Sequence, residues 1–247
     1  MGSRRRYGIE LETHGCRDYQ SLCGNTIWEC KRDCSIEGRE FVSPVLVGDE
    51  GLGEIENFCA IARQKRWSVN RYCGYHAHFD ASRESWESLR SVAYAYLLTY
   101  NTWCQLVSEG RAGNPYCGAP AYTYETIKDI QDESDWEYFV GARDRFEFVN
   151  WRAYLVHGSI EVRTHDASLD PTVICNWVRL HARFIDCVSC MDLDELDLNF
   201  RNKSTYEQFE VFTTLLGDEL CDYYADRAVY FGNSVRPVQE IILEAPF

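Results

Sequence analysis

No apolar run in the chain reaches the roughly 18 residues needed to cross a bilayer, so no membrane-spanning helix is expected. The three arginines Arg4, Arg5 and Arg6 have no apolar stretch behind them, so no signal peptide is expected either. There is no internal repeat, low-complexity tract or Pro/Ser-rich linker, and nothing marks a domain boundary. Positive charge is also scarce. Against 39 acidic residues stand 25 Lys and Arg, which leaves a formal charge of −14. Such a field repels a phosphate backbone and argues against duplex nucleic acid as a partner. It would also slow the entry of an anionic ligand unless the pocket supplied its own cations or a metal. Finally, no Ser or Cys motif of a covalent nucleophile is present.

Hydrophobic residues make up 45% of the chain and aromatics 14%, enough for a sizeable core without disulfides. The 12 cysteines, with no export signal, read as reduced thiols and predict a cytoplasmic protein. Cys187-x-x-Cys190 falls in an expected helix with no second pair to complete a zinc site. Cys16, Cys23, Cys30 and Cys34 match no zinc spacing. Ordinary buried thiols explain both groups better.

Strict alternation over residues 7–13 predicts a strand, and further strands are expected near Trp28–Ser35, Glu40–Val47 and 74–80. Gly48 to Gly53 reads as a turn before a helix over 54–66. A long helix capped by Ser82 or Ser85 should run to about Ser108 and end at Gly110. Residues 111–122 read as a loop and 125–140 as weakly helical. Strands return at Arg145–Trp151 and Gly158–Thr164. Pro171 opens a helix to about Cys190, and two more follow at 204–216 and 218–230. Mixed strands and helices with hairpin-like strand clusters predict an α+β fold on a mainly antiparallel sheet.

Three of these strands share one design. Residues i and i+2 lie on the same face of a strand. Glu10 and Glu12 therefore share a face opposite Ile9 and Leu11, His76 and His78 a face opposite Tyr75, Ala77 and Phe79, and Glu161 and Arg163 a face opposite Ile160 and Val162. Taken singly, each pair has a plain reading: an exposed edge, a structural histidine pair, a surface ion pair. Together they predict a sheet with one greasy face and one that gathers carboxylates, imidazoles and a guanidinium. Carboxylates are hard oxygen ligands suited to Mg²⁺, and an adjacent Arg is suited to grip a phosphoryl group.

The segments Y-G-I-E-L-E at 7–12, E-F-V-S-P at 40–44, C-G-Y-H-A-H at 73–78, R-A-G-N-P-Y-C at 111–117 and N-W-R-A-Y…G-S-I-E-V-R-T-H at 150–165 occur in that order. In this combination the chain resembles the amidoligase family, a branch of the carboxylate–amine ligase superfamily that includes glutamine synthetase and glutamate–cysteine ligase. The resemblance covers roughly residues 7–190. It implies a glutamine-synthetase-like core, with an antiparallel sheet whose concave face holds Mg²⁺ or Mn²⁺ and the phosphates of ATP, and helices on the other face. Carried over by motif, Glu10, Glu12, Glu40, His76 and Glu161 would be metal ligands. His76 and His78 would also serve nucleotide phosphate, Arg163 would clamp it, and Arg111 would touch phosphate or a substrate carboxylate. Ala167 stands where the family usually has glycine, which leaves the loop after this strand open. The expected organisation is a single catalytic domain over 1–247, with a core at about 7–190 and a helical extension at 191–247.

The implied activity is ATP-dependent carboxylate–amine ligation through an acyl phosphate, which suits a chain without a covalent nucleophile. Small-molecule, peptide or protein side-chain carboxylates and amines all fit as substrates. Asp33, Asp80 and His165 are equal candidates for the base that deprotonates the amine. The alternatives are a metal-dependent amidase-like hydrolase built on His76 and His78, or a noncatalytic descendant that binds nucleotide or a partner.

Overall fold

The computed structural model describes residues 4–14, 16, 27–32 and 38–237. The alternating strand near the N-terminus, β1 (Arg6–His14), lies inside a sheet with seven strands among the described residues. On one side it pairs with β3 (Gly38–Val42), which carries β2 (Glu29–Lys31) at the edge. On the other it pairs with β5 (Gly74–Asp80), followed by β7 (Ser159–Asp166) and β6 (Val149–Asn150). β4 (Leu46–Val47) pairs with the start of β1. Every ladder is antiparallel. The α+β expectation therefore holds, with helices laid on the apolar face.

That face carries Ile9, Leu11, Phe41, Tyr75, Ala77, Phe79, Ile160 and Val162, all essentially without solvent contact. α1 (Gly48–Gln64) sets Phe58 against Phe41, with ring centroids 5.3 Å apart. α7 (Pro171–Val188), capped by Asp170 with Pro171 in its first turn, accepts the Tyr75 hydroxyl on the Ile174 carbonyl. α2 (Trp86–Gln105), capped by Ser85, packs on α7 and buries Trp103 among Tyr96, Trp177 and Phe184. Burying each such side chain stabilises the fold by about 1.5–3 kcal/mol.

Several expected boundaries move, each for a visible reason. The strand expected over Glu40–Val47 is split, because Pro44 has no N–H to give the ladder. Ser43 bridges the break: its N–H donates to the Ile9 carbonyl and its hydroxyl accepts from the Ile9 N–H, both at 2.8 Å. The strand expected near Trp28–Ser35 is confined to β2, and residues 33–35 lie outside the described residues. The glycine-rich stretch expected as a turn is the beginning of α1. A Cβ on Gly51 would sit 2.6 Å from the Tyr7 hydroxyl and 2.8 Å from the Leu46 Cβ, so glycine there lets the helix press onto the sheet. α2 stops at Gln105, short of Gly110, because the Ser108 N–H and hydroxyl are drawn to the Asp166 carboxylate at 3.2 and 2.6 Å. Gly110 instead lies within the short α3 (Glu109–Ala112).

The weakly helical region forms α4 (Tyr124–Lys128) and α5 (Glu133–Gly141). Of the strand expected at Arg145–Trp151 only β6 is formed; Phe146 and Phe148 bond to Gly118, and the Phe148 carbonyl also accepts from the Arg163 N–H on β7. The chain then winds into α6 (Arg152–His157), which the alternation does not predict, and leaves it through Gly158 at a left-handed φ of 61°. After β7, the Ala167 N–H donates to the Cys73 carbonyl and prolongs the pairing with β5. α8 (Leu193–Phe200), with a capping box between Asp192 and Glu195, lies in the stretch expected as a helical extension, though the sequence pattern marks no helix at these residues. α9 (Thr205–Leu216) and α10 (Asp218–Tyr230) fall as expected, and Phe209, Phe212 and Tyr224 are buried. The ten described cysteines are free, and Cys187 and Cys190 point their thiols at the Leu215 and Asp186 carbonyls. No described helix is long and apolar enough to cross a membrane.

Candidate functional site

The register of the antiparallel ladders brings the polar residues of four strands onto one face. Glu10 lies opposite His76, Glu12 opposite Glu40, and His78 opposite Glu161. His76 Nδ1 stands 3.3 Å from Glu10 Oε2 and 3.5 Å from Glu161 Oε1, and His78 Nε2 stands 3.6 Å from Glu10 Oε1. Arg163 closes on Glu161 Oε1. Two sets of donors result, Glu10 with Glu40 and His76, and Glu10 with His78 and Glu161, each with its ligand atoms within 4.8 Å of one another. Glu10 is common to both. The two carboxylates of each set suit Mg²⁺ or Mn²⁺, the single imidazole in each suits Zn²⁺ better, and a carboxylate between two cation positions can serve both.

Other expected residues sit close by in different surroundings. Glu12 is buried and accepts from the Gly74 N–H, and it joins neither donor set. Arg111 is buried too. Its guanidinium donates to the Arg163 backbone carbonyl at 2.7 Å and lies so near Gly74 that a Cβ there would approach it to 2.9 Å. Arg163 itself donates through Nε to the Tyr116 carbonyl at 3.3 Å.

The three candidate bases part company. Asp33 lies outside the described residues. Asp80 is held by Arg6 at 2.7 Å and by Ser82. His165 is in the core, on the helix side. Tyr75 pairs with His165 and Ala77 with Val162, so His76 alone faces both Arg163 and Thr164. The extra residue on β7 is a bulge that reverses the alternation after Arg163. His165 accordingly packs against Tyr75 and Trp177, with ring centroids at 5.5 and 4.6 Å. Sequence alternation alone places it beside Glu161 and Arg163.

The structure adds residues that the pattern did not single out. Asn150 on β6 donates its amide to Glu161 Oε2. Ser159 lies 3.1 Å from His78 Nδ1, which leaves Nε2 to face Glu10. Asn150 opens the N-W-R-A-Y segment, but its partner could not be named without the β6–β7 register. Beside Glu10 and His78 opens a cavity of about 520 Å³, lined also by Arg6, Lys31, Asp80 and His157.

Charges on this face are strongly coupled. Burial opposes ionisation of Glu10, yet hydrogen bonds and charge from His76 and His78 hold its carboxyl well below the usual range. Glu161 is likewise lowered against its burial, by His76, Arg163 and His78. Burial disfavours the His78 cation, but Glu10 and Glu161 raise its pKa. An anionic pair bracketed by Arg163 and two imidazoles is an arrangement that a divalent ion can enter by taking the place of a proton on His78.

A family model described as "Putative amidoligase enzyme" matches residues 29–185. The chain belongs to the amidoligase family. No curated protein matches it. Among solved structures, a bifunctional glutathione synthetase from Pasteurella multocida superposes with a TM-score of 0.58 at 12% identity, over 93% of this chain and 47% of the other. The chain thus spans about half the length of that protein, and at this identity the likeness is one of fold.

Proposed function

We propose that this chain is an ATP-dependent carboxylate–amine ligase with a glutamine-synthetase-like catalytic face and a single catalytic unit covered by its C-terminal helices. The observation that carries the reading is the convergence of two donor sets on Glu10, with Arg163 beside them. Glu10, Glu40, His76, His78 and Glu161 would hold Mg²⁺ or Mn²⁺. Such ions neutralise phosphate oxygens during phosphoryl transfer. Arg163 orients Glu161 and offers its guanidinium to a transferred phosphoryl group. Arg111 acts beneath it, by fixing the backbone from which Arg163 projects. The cavity flanked by Arg6, Lys31 and Asp80 receives the carboxylate and amine. The family's name and the fold of a glutathione synthetase support the same class of reaction.

The deciding experiment measures Mg²⁺-dependent ADP release with L-glutamate, L-aspartate, succinate and short acidic peptides, each against ammonia, hydroxylamine, methylamine and glycine. Amine-dependent ADP release with equimolar amide or hydroxamate is the expected result. Metal-dependent amide hydrolysis without ADP would replace this reading with the hydrolase.

A further inference from the structure

We infer that Asn150 is a positioning residue that fixes the Glu161 carboxylate for a divalent ion shared with Glu10 and His78. The inference rests on the metal-binding reading of this face. Asn150 and Glu161 are paired across β6 and β7, and the side-chain amide donates to Glu161 Oε2. The orientation of that amide is not free. Its Oδ1 accepts from the Arg152 N–H at 3.1 Å, where α6 begins. With the oxygen occupied, only the NH₂ group can turn to Glu161.

The demand is specific to asparagine. The position needs an acceptor for a backbone N–H on one side and a donor to a carboxylate on the other. Aspartate offers two acceptors and would face Glu161 with like charge, while leucine fills the space and bonds to neither. On its other oxygen Glu161 receives Arg163, so the carboxylate is held from both ends. Each oxygen keeps a lone pair for a cation. Partners of this kind orient a metal-ligating carboxylate, and their loss typically weakens metal affinity by about 10–100-fold. Glu161 belongs to only one of the two donor sets, so the effect should be confined to one ion.

The test uses Mn²⁺ alone, titrated into the full-length protein and followed by the electron-paramagnetic signal of the free ion. Asn150→Ser is the informative variant. A serine hydroxyl can accept from the Arg152 N–H and keep the start of α6, but it is too short to reach Glu161. The expected result is Mn²⁺ binding weakened about tenfold or more at one class of site, with little change in the metal-free melting temperature. In the Glu161→Gln background, Asn150→Ser should add little, because the two changes remove the same interaction. Unchanged Mn²⁺ affinity in Asn150→Ser would overturn the inference and leave the metal-binding reading standing. An equal loss in the Glu161→Gln background would overturn it too, since the effect would then not run through Glu161. A wild-type protein that binds no Mn²⁺ would overturn the metal-binding reading and this inference with it.

Discussion

The two faces of the sheet hold histidines in opposite conditions. His76 and His78 stand among carboxylates on the open face, and burial of His78 is outweighed by Glu10 and Glu161, which raise its pKa. His165 and His181 lie on the helix face, packed on Trp177 with ring centroids at 4.6 and 4.2 Å, and burial pushes both pKa values down. His165 has Arg227 as a neighbour, which adds to the lowering and brings its pKa to about 4. The same residue type thus serves as a prospective ligand on one side and as neutral filling on the other. Composition does not separate the two roles; the presence of anionic partners does.

The largest effect that can break this contrast is a truncation on the helix face. Phe79→Ala removes a fully buried ring and should lower stability by about 3–5 kcal/mol in urea unfolding, with the folded fraction still binding Mn²⁺. On the open face, Arg163→Lys keeps the charge but loses the planar fork. Turnover should fall by about 10²–10³, well beyond any loss of Mn²⁺ affinity that follows from loosening Glu161, while stability changes little. Near-wild-type ADP production in this variant would dissolve the functional half of the contrast.

The smallest effect is the one that separates the faces by pH. A neutral His165 with a folded pKa of about 4, against 6.5 for the free side chain, takes up its proton more readily when unfolded. Its penalty is absent above 6.5, grows as pH falls, and is complete below about 4, at on the order of 3 kcal/mol. Glu10 and Glu161 act lower down. Their folded pKa values are depressed from 4.5, so the stability they contribute is lost only as pH falls below that value. His78 has the opposite sign, since its raised pKa adds stability at low pH that disappears as pH rises above 6.5. Unfolding free energies measured from pH 7.5 to 4.5 should therefore fall less steeply between 6.5 and 4.5 in His165→Gln, with His181 supplying the slope that remains, and keep the full slope in His78→Gln. An unchanged slope in His165→Gln would show that the core histidine is already ionised or exposed.

Period-two alternation made much of the open face legible. E-x-E, H-x-H and E-x-R each declared a shared side, and the ladders placed Glu10, His76, His78, Glu161 and Arg163 together. What the pattern could not carry was pairing between distant segments. Asn150 meets Glu161 only through the β6–β7 register, and Arg111 reaches its buried station only because α3 folds under β7. Glu12 shares a side with Glu10 yet is engaged by the Gly74 N–H, a contact that no spacing rule announces. In the fold itself, local signals misled where a tertiary demand prevailed, as when Gly51 served close helix–sheet packing and not a turn.

The bulge at Arg163 and Thr164 sets a rule about which kinds of sequence change this protein can absorb. A substitution there alters one side chain. Deleting Thr164 would remove the extra residue and the bulge together, so that His165 still pairs with Tyr75 and the chain beyond keeps its wet and dry sides. Deleting Ile160, where the pairing is regular, would instead slip the register by one residue and turn the neighbouring side chains to the wrong face. Strand β7 should therefore absorb the loss of Thr164 far better than the loss of Ile160. Libraries built by substitution would miss that difference, while a scan of single-codon deletions would find it at once.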